Sequence, residues 1–86
     1  MTEPRETRIK RLSMRSWRRG IKEMDLILGG FADAELAGLD GTALDAYERL
    51  LEENDWDLYY WVTGAREAPA THAPLIRRLA VFHKIG

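Results

Sequence analysis

Cysteine is absent from the 86-residue sequence, and histidine occurs only twice. Without thiols the chain cannot form a disulfide scaffold, use a thiolate nucleophile or hold a cysteine-ligated metal or iron–sulfur cluster. The two histidines, His72 and His83, stand eleven residues apart with no cluster of acidic ligands beside them. Because a metal ion needs several ligands converging on one point, we expect no metal site and assign both histidines to helix ends.

Two features of nucleotide-binding enzymes are also missing. The glycine pair Gly29-Gly30 lies inside a helical pattern, with no strand before it and no Lys-Ser or Lys-Thr after it, so it is not a phosphate-binding loop. A dinucleotide-binding fold needs a longer chain than this one. The acidic residues at 52–57 are interpreted as helix caps and solvated surface. We therefore expect no catalytic activity and no cofactor bound stably by the chain itself.

Long apolar runs are lacking. The longest covers a few residues around Leu26-Ile27-Leu28, whereas a membrane span needs about 18 or more. The N-terminus has no apolar core of a secretory signal, and Glu3 and Glu6 argue against a mitochondrial presequence despite the nearby arginines. We therefore expect no membrane insertion and a bacterial cytoplasmic protein.

What the sequence does contain is helical periodicity, since apolar residues recur at spacings of three and four without a clean alternation of period two. The predicted fold class is all-α, a small bundle of about five short helices. Residues 1–86 are expected to form one domain, in which 1–7 is the part that can be flexible. Helix start and stop signals place the first helix from about Pro4 to about Trp17 and the last from Thr71 to about Phe82. Between them, residues Ile21 through Leu39 are expected to form either one long bent helix or two nearly aligned ones. A further helix starts at Gly41-Thr42, and another runs from Asn54 or Asp55 to Gly64.

The apolar positions of these helices predict the core. Thr42 and Asp45 have the spacing of a capping box at the start of the third helix. The residues expected to face inward are Ile9, Leu12, Met24, Leu28, Phe31, Leu44, Tyr47, Leu50, Leu51, Leu75, Ile76, Leu79 and Phe82.

Charge is distributed unevenly along the chain. Residues 1–22 hold eight Lys or Arg and two Glu, residues 23–57 hold one Arg and eleven acids, and residues 58–86 hold four bases and one acid. The net charges of the three segments are +6, −10 and +3. Such a chain is suited to docking on a charged protein surface, or to pairing between its own two halves.

The first segment carries a basic stripe, which consists of Arg8, Arg11, Arg15, Arg18 and Lys22. Spacings of three and four place these side chains on one face if the helix is continuous. Three interpretations are open: a solvated face, docking on an acidic protein patch, or binding of nucleic acid phosphates. The acidic middle of the chain and a pI of about 6.1 weigh against nucleic acid.

An aromatic segment runs from Trp56 to Trp61. On a helix Trp61 faces one side, while Trp56, Tyr59 and Tyr60 face the other. A short helix that is apolar on both sides either lies between neighbouring helices or exposes one face to a partner. We expect Trp61 to pack in the core and Tyr59 or Tyr60 to contribute to partner binding.

The last feature is the segment Arg19-Gly20-Ile21-Lys22-Glu23. If Gly20 is the N-cap of the second helix, Glu23 falls at N3, where a carboxylate complements free N–H groups and the helix dipole. Local energetics do not explain Arg19, because a cation at a helix start opposes the dipole. A guanidinium and a carboxylate that flank a residue without a side chain form a polar surface that another backbone can approach closely.

In context this motif identifies a family. The run RSWRRGIKEMDLILG at 15–29 closely resembles the succinate dehydrogenase assembly factor family, called SdhE in bacteria, and the run YERLLEENDWDLYYW at 47–61 resembles its second block. The resemblance covers roughly residues 8–83, and length and helical layout agree. The R-G-x-x-E motif of the family falls on Arg19, Gly20 and Glu23.

The resemblance implies a chaperone-like assembly factor and not an enzyme. Members bind the flavoprotein subunit of succinate dehydrogenase, in some bacteria also fumarate reductase, and promote covalent attachment of FAD to a histidine of that client. The bond-forming chemistry is attributed to the client and its flavin. The family's functional surface carries over to the three motif residues.

The working hypothesis combines these observations. Arg19 and Glu23 bind the client by charge-assisted hydrogen bonds, Gly20 permits close approach, and the basic stripe with Tyr59 or Tyr60 widens the contact. We expect a monomer without a nucleic acid partner. Two rival hypotheses stay open: a nucleic-acid-binding module that uses the basic stripe, and a general protein-interaction adaptor with no role in flavin loading.

Overall fold

Five α-helices form the structure, a computed structural model that describes residues 3–85. The helices are α1 Arg5–Trp17, α2 Lys22–Glu35, α3 Gly41–Leu51, α4 Asp55–Thr63 and α5 Ala73–Phe82, and a 3₁₀ turn at Leu36–Gly38 continues α2. No strand occurs in the described part of the chain. The predicted all-α bundle of about five short helices is confirmed.

The hydrophobic core lies between the helices, with α1 packed along α2 and α4 packed on α5. As the periodicity predicts, apolar side chains of every helix are buried there: Leu12, Met24, Leu28, Phe31, Leu44, Tyr47, Leu50, Leu51, Leu58, Leu75, Ile76 and Leu79. Ile9 is only partly buried and packs against the edge of this core. Phe82 also departs from the prediction, because it is the last residue of α5 and is 37% exposed. Its ring contacts Phe31 edge-on, with the ring centroids 5.6 Å apart.

Helix α2 runs without a break through Gly29 and Gly30, so one long helix is observed rather than two short ones. Gly29 is buried because the indole of Trp17 lies against it, and a Cβ on Gly29 would lie 2.2 Å from Trp17 Cδ2. The Nε1 of Trp17 also donates to Asp33 Oδ2 at 3.1 Å. The glycine lowers helix propensity, but it allows α1 and α2 to approach closely.

Helix α3 begins at Gly41, as predicted, but its capping group differs from the one expected. The Oδ1 of Asp40 accepts a hydrogen bond from the backbone N–H of Ala43 at 2.8 Å. Asp40 lies directly before the helix, where its carboxylate reaches the third residue, so the predicted Thr42–Asp45 capping box is wrong.

Helix α4 has the boundaries that its local signals predict. Asn54 is the N-cap and its Oδ1 accepts from the backbone N–H of Trp56 at 2.8 Å, while Gly64 ends the helix with φ of 83°. At α5 the prediction is wrong by one residue, since His72 rather than Thr71 is the N-cap, and its side chain makes no capping hydrogen bond.

A buried polar group joins α1, α2 and α3. The hydroxyl of Tyr47 lies 2.6 Å from the Oγ of Ser16 and 3.3 Å from the carbonyl oxygen of Leu28. Ser16 also donates to the carbonyl oxygen of Leu12 at 2.7 Å. Burial raises the pKa of the Tyr47 hydroxyl to about 12, although the hydrogen bond to Ser16 acts in the opposite direction.

Because of Tyr47, we expect the free energy of unfolding to fall as the pH rises from about 10 to about 12. An unfolded tyrosine loses its proton near pH 10 while folded Tyr47 keeps it, so unfolding releases a proton and becomes more favourable at higher pH. The slope approaches about 1.4 kcal/mol per pH unit. Urea unfolding of wild type and Tyr47→Phe across this range measures it. The slope should be present in wild type and much smaller in the variant, and equal slopes would contradict the assignment.

Candidate partner-binding surface

The turn between α1 and α2, residues 18–21, lies against the junction between α3 and α4. The Nε of Arg19 donates to Asp55 Oδ1 at 2.6 Å. Its Nη1 and Nη2 donate to the carbonyl oxygens of Leu51 and Glu53, both at 2.6 Å. The side chain of Arg19 is 11% exposed and that of Asp55 is 18% exposed. The guanidinium therefore caps the end of α3 and forms a largely buried ion pair with the first residue of α4.

Gly20 approaches the same carboxylate. Its backbone N–H donates to Asp55 Oδ2 at 2.7 Å, and a Cβ on Gly20 would lie 2.8 Å from that oxygen. The close approach that requires a glycine is thus made by a residue of the same chain. Gly20 is otherwise exposed, so a partner can reach its outer side.

Sequence reasoning missed the two aspartates that hold this turn. The sequence assigns Asp55 only to helix capping and solvated surface. Asp25, in the first turn of α2, accepts a hydrogen bond from the backbone N–H of Arg19 at 2.6 Å. The one available signal was Arg19 itself, a cation that local helix energetics do not explain and that therefore needs a distant partner.

Glu23 stands apart from this network. Helix α2 begins at Lys22 with Ile21 as the N-cap, so Glu23 is the second helical residue rather than the N3 residue expected with Gly20 as the cap. Its side chain is exposed, and the ion pairs found within residues 3–85 do not include it. The carboxylate complements the positive end of the helix dipole and is available to a partner's donors.

The first two arginines of the basic stripe bind acidic side chains of the same chain. Arg8 lies 2.6 Å from Asp45 and 3.0 Å from Glu48. Arg11 lies 2.8 Å from Glu3 and 3.0 Å from Glu48. The hydrogen bonds from Arg11 and Arg8 hold the pKa of the Glu48 carboxyl below its usual value. Pairing between the two halves of the chain, one of the alternatives drawn from the charge distribution, is therefore observed.

The remaining cations of the stripe are Arg15, which lies in α1, and Arg18 and Lys22, which lie beyond its end. Arg15 lies 3.0 Å from Glu52. Because α1 ends at Trp17, Arg18 and Lys22 do not continue one helical face with the others. Both side chains are exposed, and the ion pairs within residues 3–85 include neither. These two cations flank the Arg19-Gly20 turn and are the part of the stripe that remains available to a partner.

An open groove runs along α1 and reaches the same turn. Its lining residues are Thr7, Lys10, Arg11, Met14, Arg15, Arg18 and Arg19. Met14 is 54% exposed, so the groove combines an apolar side chain with several cations. This combination suits an acidic protein segment that carries an apolar residue.

The aromatic segment has the two faces that its spacing predicts. Trp61 is half-buried, and its indole stacks on the His72 ring with centroids 5.8 Å apart. On the other face Trp56 is 50% exposed, and Tyr59 and Tyr60 are half-buried with their ring centroids 6.0 Å and 6.3 Å from that of Trp56. Trp56 follows Asp55 directly, so this aromatic face begins beside the turn that Asp55 holds.

Two other kinds of site are not formed by the described residues. Within 3–85, no group of three or more His, Cys, Asp or Glu side chains is placed to hold a metal ion. Each helix in that range is too short or too polar to cross a membrane.

Comparison with known proteins identifies relatives. A family model described as the flavinator of succinate dehydrogenase matches residues 10–83. Succinate dehydrogenase assembly factor 2, mitochondrial, from Mycosarcoma maydis is 46% identical over 72 residues, which are 84% of this chain and 30% of that protein. The protein of the same name from Meyerozyma guilliermondii is 51% identical over 61 residues, 71% of this chain and 45% of its own length.

A third relative comes from an insect. Succinate dehydrogenase assembly factor 2-B, mitochondrial, from Drosophila mojavensis is 39% identical over 83 residues, which are 94% of this chain and 53% of that protein. The chain thus spans between 30% and 53% of the length of these three relatives.

The comparisons overturn one expectation and confirm another. The expectation of a bacterial cytoplasmic protein is wrong, because these relatives are eukaryotic and are named as mitochondrial. That expectation depended on Glu3, Glu6 and the missing apolar core near residue 1. The chain spans only part of the length of these relatives, so its first residues are a poor guide to location. The resemblance to the assembly factor family is confirmed by a family match that covers most of the chain. The chain belongs to the family of succinate dehydrogenase flavinators.

Proposed function

We propose that this protein binds the flavoprotein subunit of succinate dehydrogenase and promotes covalent attachment of its FAD. The observation that carries the proposal is the family match over residues 10–83, a range that includes the Arg19-Gly20 turn, Glu23 and the aromatic segment. The relatives named above are called succinate dehydrogenase assembly factors, in agreement with it. In this proposal the client and its flavin supply the bond-forming chemistry, and the chain supplies a docking surface.

The docking surface is proposed to centre on Glu23 and the outer side of Gly20. The Glu23 carboxylate is exposed, so it can accept charge-assisted hydrogen bonds from basic side chains or backbone N–H groups of the client. Arg19 contributes mainly by holding the turn, because three of its guanidinium N–H groups donate to Asp55, Leu51 and Glu53 and its side chain is only 11% exposed.

Cations and aromatic rings around this centre widen the proposed contact. Arg18 and Lys22 flank the turn, and Tyr59 and Tyr60 lie on the aromatic face that begins at Trp56. Arg8, Arg11 and Arg15 are paired with acidic side chains, so the stripe presents less free positive charge than its sequence suggests. Since nucleic acid binding rewards unpaired cations, this pairing favours a protein partner.

The proposed mode of action is a shift in the conformational population of the client. A factor that binds one arrangement of client domains more tightly increases the share of that arrangement, here the one in which flavin and acceptor histidine react. The chain itself is proposed to hold no FAD, to act as a monomer, and to accept fumarate reductase as a second client where the two flavoproteins share the docking site.

The Glu23→Ala substitution tests the site. We expect covalent flavin in the co-expressed flavoprotein subunit to fall severalfold, because losing charge-assisted hydrogen bonds weakens client binding by about tenfold or more. Flavin fluorescence of the client band in a denaturing gel measures the covalent fraction. A substitution at Gly20 is less suitable, because any Cβ there would lie 2.8 Å from Asp55 Oδ2 and disturb the turn.

The matched control is Glu67→Ala, which removes an exposed carboxylate from the loop between α4 and α5. Its flavin signal should equal that of wild type, and both variants should unfold at nearly the wild-type temperature, as exposed substitutions usually do. A full flavin signal with Glu23→Ala would show that the site is assigned to the wrong residues.

A further inference from the structure

We infer that Asp55, which lies outside the R-G-x-x-E motif, is the positioning residue for the docking surface. The inference deepens the proposed function and rests on it. Each of the two oxygens of the Asp55 carboxylate accepts a hydrogen bond from a different residue. Oδ1 accepts from the Nε of Arg19 at 2.6 Å, and Oδ2 accepts from the backbone N–H of Gly20 at 2.7 Å. One side chain of α4 thus holds two consecutive motif residues.

The contact with Asp55 fixes the Arg19-Gly20 turn between two helices. The backbone N–H of Arg19 donates to Asp25 Oδ1 in the first turn of α2, and Glu23 lies in that same turn. The Arg19-Gly20 turn is therefore tied to α2 on one side and to α4 on the other. Through this tie Asp55 sets the position of Glu23 relative to the start of α4, where Trp56 is 50% exposed.

The rigidity of the Arg19-Gly20 turn matters for client binding and not only for folding. A carboxylate that must meet donors on a partner binds more tightly when its helix start is already in place, because less conformational entropy is lost on association. The ion pair itself is nearly buried and does not need to touch the client. Asp55 thus acts through Gly20 and Glu23.

The Asp55→Asn substitution separates positioning from bulk stability. An asparagine has almost the same shape but only one acceptor oxygen, so it cannot accept from both the Nε of Arg19 and the N–H of Gly20. Because the charged guanidinium of Arg19 is the stronger donor, the amide oxygen stays with its Nε and the amide nitrogen faces the Gly20 N–H, so the hydrogen bond to Gly20 is lost. Two control variants are used: Glu35→Gln, a carboxylate-to-amide change near Arg78 at the far end of α2, and Ile76→Val, a mild core change in α5.

Two measurements are made on each purified protein. Amide hydrogen exchange at Gly20 in the free chain reports the hydrogen bond to Asp55, and titration calorimetry with the flavoprotein subunit reports client affinity at a temperature where all proteins are folded. With Asp55→Asn we expect Gly20 exchange to accelerate and client affinity to fall by about tenfold, because binding must then order a turn that the lost hydrogen bond no longer holds. Both controls should match wild type in both measurements.

The outcomes distinguish the two proposals. If Gly20 exchange accelerates but Asp55→Asn binds the client as tightly as wild type, Asp55 is only structural and the inference is overturned. If Gly20 exchange is unchanged, the hydrogen bond does not hold the turn and the inference is likewise overturned. If wild type itself fails to bind the flavoprotein subunit, the proposed function fails and the role of Asp55 fails with it.

Discussion

Replacing Arg19 with alanine is expected to lower the free energy of unfolding by about 3 kcal/mol, the cost of breaking a largely buried ion pair by removing one partner. The substitution leaves the Asp55 carboxylate, 18% exposed, without its cation. It also leaves the carbonyl oxygens of Leu51 and Glu53, at the end of α3, without the donors at 2.6 Å that now satisfy them. The turn between α1 and α2, the end of α3 and the start of α4 thus lose the side chain that joins them.

Urea unfolding monitored by circular dichroism measures this change, and Arg77→Ala is the matched control. Arg77 is an exposed arginine of α5, so its removal should alter stability by less than about 0.5 kcal/mol. Arg19→Lys should fall between, because an ammonium cannot reproduce the forked geometry of the guanidinium. If Arg19→Ala and Arg77→Ala were equally stable, the structural role assigned to Arg19 would be wrong.

Adjacent glycines of α2 are expected to respond in opposite directions to alanine. Gly29→Ala should destabilise the protein by about 2 kcal/mol, because its Cβ would lie 2.2 Å from Trp17 Cδ2 and the indole must move. Gly30→Ala should stabilise it by up to about 1 kcal/mol, because its Cβ would meet only His83 Cε1 at 3.5 Å while alanine favours the helix.

The two alanine variants therefore control for each other, and thermal unfolding of both gives the difference. A Trp17→Ala background provides the second test, since without the indole Gly29→Ala should become stabilising like Gly30→Ala. If both variants had the same sign in the wild-type background, the close packing of α1 on α2 at Gly29 would be refuted.

Local signals predicted much of the fold. The N-cap at Asn54, the left-handed glycine at Gly64 and the buried stripe of α3 all depend on residues within a few positions of one another, and each is observed. The error at the start of α3 occurred where two local groups competed. Asp40 rather than Thr42 caps α3, because several polar residues near a helix start can each accept the same N–H groups.

Long-range contacts could not be predicted in the same way. The excess of basic residues before position 23 and of acidic residues after it indicated pairing between halves, but not which partners meet. Arg8 and Arg11 converge on Glu48 because α1 and α3 lie side by side, and periodicity does not encode that register. Asp55 was missed for the same reason, since it lies 36 positions from Arg19.

The glycine of the R-G-x-x-E motif shows how structure changes the interpretation of a pattern. From the sequence, Gly20 was expected to admit the backbone of a partner. In the structure its N–H contacts the chain's own Asp55, and only its outer side is exposed. The motif therefore serves the fold through Arg19 and Gly20 and leaves Glu23 as its freely exposed charge.

The function proposed for this chain is to promote covalent flavin attachment in the flavoprotein subunit of succinate dehydrogenase. The most direct measurement adds purified chain to purified apo flavoprotein subunit with FAD and follows covalent flavin over time in a denaturing gel. Stoichiometric wild-type chain is expected to increase the rate or final extent of covalent attachment severalfold, and Glu23→Ala to do so much less. If the flavoprotein acquires covalent FAD equally fast and to the same extent with and without the chain, the proposed function is wrong.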